Sequence, residues 1–393
     1  MIAVAGKNNI AVHALKILVD KIGAENVIAI PNDSDDGHDR FQQSLLKSAL
    51  SQNVTIANLA AIQEKKDLDC FISLEFDKIV DPGKFNTKRL YNIHFSELPK
   101  YKGMYTSFWP IYNGDKSSGV TLHRIDRGID TGYIIGQQQF LISDKDRCSD
   151  LYFKYIENAI DLFDRYIDEL LTVEWAGSPQ ASVGSTYYSK KSVSYHDVKI
   201  DFFVTAWQLQ RQVYAYSFRP YQLPILFGKK VTDVTITASP SKVKPGVILD
   251  ESTNQSRVST IDYDAIIHFD ELDNILGHMD LLSIDDVKGR IKNISGIHDK
   301  NVYGWSLIIV AAYYGRLEIV DYLLSIGANI NDTNFKGTTV LMYAKDSCLR
   351  SGSSTLFNYL LENGADIERK DLSGKKLVDY LSKSEVSFLG LSA

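Results

Sequence analysis

An amide, an imidazole and a carboxylate occur along this sequence in an order and spacing that suit acyl transfer. Asn92 and His94 are two residues apart, so on a β-strand their side chains leave the same face. Asp130 belongs to a separate, glycine-flanked segment, Gly128–Gly132, which has the composition of a tight turn. Together the three groups provide a base, a carboxylate to orient that base and an amide donor for an oxyanion. These are the parts needed to pass a one-carbon acyl group to an amine.

Each of these residues also has a purely structural alternative. A lone histidine is more often a core or surface residue than a base, and an aspartate between glycines is often only a turn residue. His94 differs from the other seven histidines because the amide and the carboxylate accompany it. We therefore expect Asn92, His94 and Asp130 to act together.

The segment that follows the imidazole carries a longer motif. Residues His94–Gly103 read HFSELPKYKG. This run resembles the H-x-S-x-L-P-x-Y-x-G loop of the folate-dependent formyltransferases, whose acceptors include methionyl-tRNA, glycinamide ribonucleotide and sugar nucleotides. The family order is N-x-H, then this loop, then D-x-G, and all three parts are present. Glu97 stands where the family usually has an apolar residue, which could alter how the loop packs.

The resemblance implies a donor and a role for each catalytic residue. The donor would be N10-formyltetrahydrofolate, and no metal is needed. His94 would remove the proton of the attacking amine as general base, a task that suits an imidazole near neutral pH. Asp130 would hold the imidazolium, and Asn92 would donate to the developing oxyanion. The pterin is expected to lie along two segments, largely against their backbone, and the candidate cofactor-binding residues are Ser73, Leu74, Phe76, Leu122, Ile125 and Asp126.

The acceptor is suggested by the run Gly103–Pro110, which reads GMYTSFWP. The tRNA enzyme has small residues at this place. The bulky aromatic run here instead resembles the sugar-nucleotide branch, whose acceptors are dTDP-linked amino-dideoxyhexoses. Among these, the acceptor expected for this protein is dTDP-3-amino-3,6-dideoxyglucose. An arginine fork suits a pyrophosphate, and a tyrosine ring can stack on a pyrimidine. Each candidate could instead be a surface charge or a core aromatic, as could Phe108 and Trp109. The candidate substrate-binding residues are Lys78, Met104, Tyr105, Thr106, Ser107, Arg219 and Tyr221.

The bulk composition excludes several classes of protein. A net charge of -6, with scattered Lys and Arg, argues against a large polyanion such as tRNA, so no nucleic-acid partner is expected. The three cysteines are far apart and give neither a metal spacing nor a disulfide framework, which favours a reduced, cytoplasmic setting. No stretch of about 18 apolar residues and no signal peptide is present, so we expect no membrane association.

Periodicity predicts an α/β fold with a Rossmann-like, mostly parallel sheet in residues 1–186. Apolar strands alternate there with amphipathic helices, which places helices on both faces of the sheet. The first turn lacks G-x-G-x-x-G, which argues against a nicotinamide site. Residues 187–270 resemble the small β-rich C-terminal subdomain of the formyltransferases. The predicted strands of the sheet are 1–5, 27–30, 70–74 and 90–94, and residues 150–173 are predicted to form a long helix.

Residues 271–393 have the sequence pattern of an all-α ankyrin repeat module. The segment that begins at Gly304 recurs from Gly337, 33 residues later, which is the ankyrin period. The second repeat carries about four extra residues, which we place within Ser347–Ser354. So few repeats should be marginal alone, so we expect this module to pack on the catalytic part.

Trp305 occupies a variable position of the repeat, where side chains usually point toward partners. An exposed tryptophan is unusual without a function. One hypothesis is that it forms an auxiliary site and stacks on a planar group, such as the thymine of a second nucleotide sugar. The plainer alternative is a contact between domains.

The predicted protein is a cytoplasmic N-formyltransferase that makes an N-formylated sugar for a bacterial surface polysaccharide, the O-antigen. Residues 229–269 provide a homodimer surface, as in related enzymes. Two alternatives stay open. A formyltetrahydrofolate hydrolase would use the same triad on water, and a non-catalytic binding protein would use only the ankyrin repeats.

Overall fold

The computed structural model describes residues 1–219 and 221–391. Its chain divides into two compact units. The first contains Met1–Val198 together with Tyr214–Tyr216, and the second contains Lys199–Val213 and the chain from Ser217 onward. The β-rich sheet and the ankyrin repeats therefore belong to the same unit. None of the helices in the described ranges has both the length and the apolar character that a membrane span requires.

The first unit is an α/β structure built on a seven-stranded sheet. The strands of the first unit, including two that form a separate short ladder, are β1 (Ile2–Gly6), β2 (Val27–Pro31), β3 (Thr55–Ile56), β4 (Cys70–Leu74), β5 (Leu90–His94), β6 (Lys102–Gly103), β7 (Ser117–Arg124), β8 (Ile134–Leu141) and β9 (Tyr187–Tyr188). Its helices are α1 (Asn8–Ile22), α2 (Leu45–Ser51), α3 (Leu59–Gln63), α4 (Trp109–Asn113) and α5 (Cys148–Thr172). The order in the large sheet is β3-β2-β1-β4-β5-β7-β8. The pairs from β3 to β5 are parallel, whereas β5–β7 and β7–β8 are antiparallel. The predicted mostly parallel sheet is confirmed.

The apolar strand runs explain why this sheet is central. All five residues of β1 and of β4 are buried, as expected of parallel strands covered on both faces. Alternate strand residues form one core cluster with Ile62 of α3 and Leu68, and these strand residues are Ala3, Ala5, Ile28, Ile30 and Phe71. Helix α2 begins at Leu45 because Ser44 caps it by accepting from the Lys47 amide.

A short parallel ladder joins distant segments of the first unit. Strand β6, which ends the loop after His94, pairs with β9, and both have only two residues. Gly103 has φ +88°, and a Cβ there would lie 2.3 Å from the carbonyl oxygen of Tyr188. Glycine is therefore required at this crossing. The ladder brings the segment around Tyr187 beside the loop that follows the catalytic strand.

The second unit opens with helix α6 (Ala206–Tyr216), whose last turn is assigned to the first unit. An antiparallel sheet follows, with the order β10-β11-β14-β13-β12. Its strands are β10 (Ile225–Leu226), β11 (Lys229–Pro240), β12 (Ile248–Glu251), β13 (Gln255–Val258) and β14 (Tyr263–Phe269). Arg219 links this sheet to the next region, since its guanidinium pairs with Asp270 after β14 and lies 3.3 Å from Asp299.

The rest of the second unit is helical. Its helices are α7 (Leu272–Gly277), α8 (Ile284–Arg290), α9 (Leu307–Tyr313), α10 (Leu317–Ser325), α11 (Val340–Ser351), α12 (Thr355–Glu362) and α13 (Lys383–Phe388). One continuous apolar core runs from Leu272 to Leu389 through these helices. Helix α11 has 12 residues and its counterpart α9 has 7, so the extra residues of the second repeat lengthen its first helix.

Candidate active site

Strand β5 places the predicted base and amide at the carboxyl edge of the sheet. His94 is 8% exposed, and its Nε2 lies 2.8 Å from the carbonyl oxygen of Tyr101. A carbonyl only accepts, so Nε2 carries a proton, and Nδ1 is the nitrogen left to accept one. Nδ1 lies 3.5 Å from Oδ2 of Asp130. A proton taken up at Nδ1 would therefore be stabilised by the carboxylate, while Tyr101 holds the ring.

Asp130 is held in the loop between β7 and β8 with φ +53°. Its Oδ2 accepts a 2.8 Å hydrogen bond from the amide of Gly103. Burial alone would raise the pKa of the Asp130 carboxyl, but the imidazoles of His94 and His123 and the Gly103 amide lower it well below its usual range. This side chain is therefore a carboxylate at neutral pH.

The D-x-G turn is built around its glycine. A Cβ on Gly132 would lie 1.7 Å from the carbonyl oxygen of Arg124, so no larger residue fits there. Gln180 fixes the same turn, because its Nε2 donates to the carbonyl oxygens of Asp130 and Gly132, both at 2.8 Å. The backbone around Asp130 is thus defined from two sides.

A second imidazole, which sequence reasoning missed, lies beside the triad. His123 of β7 is buried and stands opposite Asn92 in the antiparallel register. Its Nδ1 lies 2.7 Å from the carbonyl oxygen of Arg124, so Nδ1 carries the proton and Nε2 accepts from Asn92 Nδ2 at 3.0 Å. The bond orients the amide, and the same Nδ2 also donates to Oδ1 of Asp130 in a longer contact of 3.5 Å. The sequence signal was weak, a histidine near the end of a strand that also carries serines and a threonine.

The triad opens into a cavity of about 580 Å³, formed by residues of the first unit. The carboxyl ends of β4, β5 and β7 supply much of its lining. Of the predicted cofactor and substrate residues, those that line it are Ser73, Phe76, Lys78, Met104, Thr106, Ile125 and Asp126. Lining residues that sequence reasoning missed include Lys7, Glu75, His123, Tyr187 and Lys190.

Several predicted residues have other surroundings. Leu74 and Leu122 are buried within strands, and Ser107 accepts a hydrogen bond from Cys148 Sγ at 3.3 Å. Tyr105 lies next to the cavity lining, since its hydroxyl donates to the carbonyl oxygen of Lys190 at 3.1 Å. Lys78, within the lining, pairs with Asp33.

Two further predicted residues belong to the second unit, Arg219 and Tyr221. The guanidinium of Arg219 is engaged by the two carboxylates described above. Tyr221 is 63% exposed and its ring stacks on Phe218 with centroids 5.6 Å apart. The neighbouring Pro220 lies outside the described residues.

The aromatic run before α4 is packed inside the first unit. Phe108 is 2% exposed, and the ring of Trp109 stacks on Tyr188 at a centroid distance of 4.0 Å. These two side chains therefore support the wall of the site through packing.

Trp305 lies among the ankyrin repeats and is 40% exposed. Its ring centroid is 5.5 Å from that of Tyr303, and its side chain shares a hydrogen bond with Tyr343. Gly304 precedes it with φ +82°, where a Cβ would lie 2.5 Å from the Phe335 amide nitrogen. The tryptophan is thus fixed by contacts within the repeats while part of its surface stays open.

No group of three or more His, Cys, Asp or Glu side chains within residues 1–219 and 221–391 is arranged to hold a metal ion.

The chain was compared with known proteins. Residues 37–165 match the Formyl transferase family, and residues 282–371 match ankyrin repeats in three copies. Methionyl-tRNA formyltransferase of Clostridium tetani is 25% identical over 273 residues, which are 65% of this chain and 87% of that protein.

Two solved structures are more similar. The crystal structure of WlaRD, a sugar 3N-formyl transferase in the presence of dTDP and 5-N-formyl-THF, is 39% identical with a TM-score of 0.62, and the match covers 68% of this chain and 97% of that one. The Helicobacter canadensis N-formyltransferase, in complex with folinic acid and dTDP-3-aminofucose, is 37% identical with a TM-score of 0.62, over 68% and 98% of the two chains. This chain therefore belongs to the folate-dependent formyltransferases, among the sugar N-formyltransferases, and carries ankyrin repeats in its C-terminal part.

Proposed function

We propose that this protein transfers the formyl group of N10-formyltetrahydrofolate to the amine of a dTDP-linked amino-dideoxyhexose, most specifically dTDP-3-amino-3,6-dideoxyglucose. The observation that carries the proposal is the arrangement of Asn92, His94 and Asp130 at one cavity in a chain 39% identical to a sugar 3N-formyl transferase. That relative was crystallised with dTDP and 5-N-formyl-THF, and the Helicobacter canadensis relative with dTDP-3-aminofucose. Both support a 3-amino sugar on dTDP as the acceptor.

In the proposed reaction the folate supplies the formyl group and the residues of this chain manage charge and protons. His94 accepts a proton from the attacking amine at Nδ1, the nitrogen that its bond to Tyr101 leaves free. Asp130 stabilises the resulting imidazolium across 3.5 Å. Asn92 donates to the oxyanion that forms on the carbonyl oxygen the N–H that makes the long 3.5 Å contact with Asp130 in this structure. Losing such a donor costs roughly 3–4 kcal/mol of transition-state stabilisation in other enzymes.

The two substrates are proposed to enter from different sides of the base. The pterin lies along Ser73–Phe76 and Leu122–Asp126, where Ser73, Phe76, Ile125 and Asp126 face the cavity. The amino sugar lies along Met104–Ser107, and the Lys78 ammonium, which pairs with Asp33 in this structure, would contact the diphosphate. Arg219 and Tyr221 are the further candidates for the nucleotide.

We also propose the cellular role and the assembly predicted from the sequence. The product would be an N-formylated sugar nucleotide for a surface polysaccharide, made in the cytoplasm. A homodimer would form through the β-rich sheet, where Ile236, Ile248 and Leu249 are exposed. Exposed apolar side chains on one sheet are consistent with a protein partner.

An end-point assay tests the reaction. The purified protein is incubated with N10-formyltetrahydrofolate and a panel of nucleotide-linked amino sugars, and products are read by mass spectrometry. We expect one formyl group on a dTDP-linked 3-amino sugar, and none on UDP-linked sugars or on methionyl-tRNA. Folate turnover without a formylated sugar would assign a hydrolase, and no turnover at all would favour a binding protein. Either result would overturn the proposal.

A further inference from the structure

A carboxylate outside the triad lies just after the carboxyl end of β4, at a residue with unusual backbone geometry. Glu75 has φ +57° and Asn8 has φ +65°, and both are non-glycine residues in the left-handed region. Such conformations are costly and persist where the surrounding structure holds them, often at functional sites. Both residues follow neighbouring strands, since β1 and β4 are paired in parallel. Two strained residues therefore meet at the carboxyl edge of the sheet.

Hydrogen bonds fix the direction of the Glu75 side chain. Oε2 accepts from Asn8 Nδ2 at 3.0 Å and from the Tyr152 hydroxyl at 2.8 Å. The same hydroxyl accepts from Asn8 Nδ2 at 2.6 Å, so the three side chains are all hydrogen-bonded to one another. Tyr152 is contributed by α5, so helix and sheet both hold the carboxylate. None of these three side chains is used by the triad.

The register of the sheet brings the backbone of Glu75 to the same edge as that of the base. In the β4–β5 pair, Ser73 stands opposite Asn92 and Leu74 opposite Ile93, and the pairing ends there. Glu75 and His94 are the residues that follow this last pair on two neighbouring strands, which lie about 4.8 Å apart. Glu75 and His94 both line the cavity.

The charge state of Glu75 reflects several neighbours. Burial raises the pKa of its carboxyl above the usual range, although the Lys7 charge and the hydrogen bonds from Tyr152 and Asn8 act in the opposite direction. The other titratable groups that face this part of the cavity are His94 of β5 and, beyond the end of β4, Asp77 and Lys78. A carboxyl in such a site exchanges protons more readily with an amine than an exposed carboxylate does.

The proposed reaction removes two protons from the acceptor nitrogen. An alkylamine is mostly an ammonium ion at neutral pH, and only the neutral amine can attack. The acceptor therefore loses one proton before attack and a second as the new C–N bond forms. His94 has one basic nitrogen free, so it accounts for one of the two. Resting on the proposed function, we propose that Glu75 binds the ammonium form of the amino sugar and accepts its first proton.

The protons then balance. Glu75 converts R–NH3⁺ to R–NH2 and becomes a carboxylic acid. The amine nitrogen bonds to the formyl carbon, and His94 takes the second proton and delivers it to the folate nitrogen as the bond from that nitrogen to the formyl carbon breaks. Glu75 returns its proton to solvent, and the overall reaction releases one proton.

The test compares Glu75→Gln with the wild type over about pH 6 to 10, with kcat/KM measured for the dTDP-linked amino sugar. Glutamine keeps the size and an acceptor oxygen but cannot take a proton. We expect a loss of about 100-fold at the acidic end that shrinks to less than about 10-fold where the amine is already neutral. Tyr152→Phe keeps the carboxylate and loses one donor, so it should show a smaller loss.

Glu157→Gln is the matched control, because Glu157 is exposed on α5, the helix that carries Tyr152, and lies outside the cavity lining. Its pH profile should overlay that of the wild type. If Glu75→Gln is slower by the same factor at every pH, Glu75 only binds or packs, and the inference is wrong. If the wild type itself formylates no sugar, the proposed function fails instead. Equal thermal melting of all variants separates these outcomes from unfolding.

Discussion

The carboxyl edge of the seven-stranded sheet and the ankyrin repeats show two different uses of side chains in one chain. At the sheet edge, His94, His123 and Asp130 are buried polar groups that hold one another. In the repeats, the buried residues are almost all apolar, and their helices are joined by turns with glycines such as Gly304 and Gly337. A polar network that lines a cavity mainly serves function, whereas an apolar array of repeats mainly contributes stability. Substitutions at the sheet edge should therefore change the catalytic rate, and substitutions in the repeats should change the stability.

The largest expected effect on catalysis comes from the base. His94→Gln removes the imidazole nitrogen that lies 3.5 Å from Asp130, and kcat should fall by about 10³-fold with no change in melting temperature. His13→Gln is the control, because His13 pairs with Asp164 on the surface and lies outside the cavity. Steady-state kinetics with the amino sugar and thermal melting check both. A fall of less than about 10-fold would place the base elsewhere and remove the contrast between the regions.

A smaller loss is expected from the imidazole behind the amide. His123→Leu leaves one N–H of Asn92 without its acceptor, so the amide is held only by its 3.5 Å contact with Asp130. We expect kcat to fall about 10-fold with KM little changed, because the oxyanion donor acts in the transition state. His123→Gln restores an acceptor oxygen and should recover part of the rate. Equal losses in both variants would show that His123 acts only by filling space.

The sequence predicted the parts of this network that are contiguous and missed the parts that meet through folding. Asn92 and His94 share one strand, and D-x-G is a local turn, so their spacing carried the signal. Glu75 and Tyr152 are 77 residues apart, and His123 reaches Asn92 only through the antiparallel register of β5 and β7. These pairings depend on strand order, which periodicity does not give.

Backbone groups explain another part of what was missed. His94 has Asp130 at 3.5 Å from Nδ1, and its Nε2 also donates to the carbonyl oxygen of Tyr101. A carbonyl is present at every residue and leaves no mark in the sequence. Strands β1, β2, β4 and β5 were predicted to within one residue because each is a short apolar run with clear ends.

In the repeats, a core substitution should affect stability and leave the rate of the folded enzyme unchanged. Phe357 of α12 is fully buried, so Phe357→Ala should cost about 3–5 kcal/mol in the free energy of unfolding of this unit. Denaturant unfolding followed by circular dichroism measures the loss, and kcat is measured well below the transition. Phe388→Ala, at a residue 41% exposed on α13, is the control and should cost far less. A large fall in kcat with the fold intact would show that the repeats contribute to catalysis.

Trp305 tests whether the repeats have any function besides stability. Its contacts with Tyr303 and Tyr343 lie within the repeats, so Trp305→Ala should lower the melting temperature of this unit by a few degrees, about 1 kcal/mol, and leave kcat unchanged. Leu281→Ala, a substitution at a highly exposed apolar residue of the same unit, should change neither quantity. Calorimetric titration with the dTDP-linked amino sugar is run on the same samples. Unchanged melting with loss of one class of nucleotide-sugar binding would contradict the structural role. The partly exposed Trp305 side chain would then be a ligand-binding surface, and the division between a catalytic unit and a purely structural one would no longer hold.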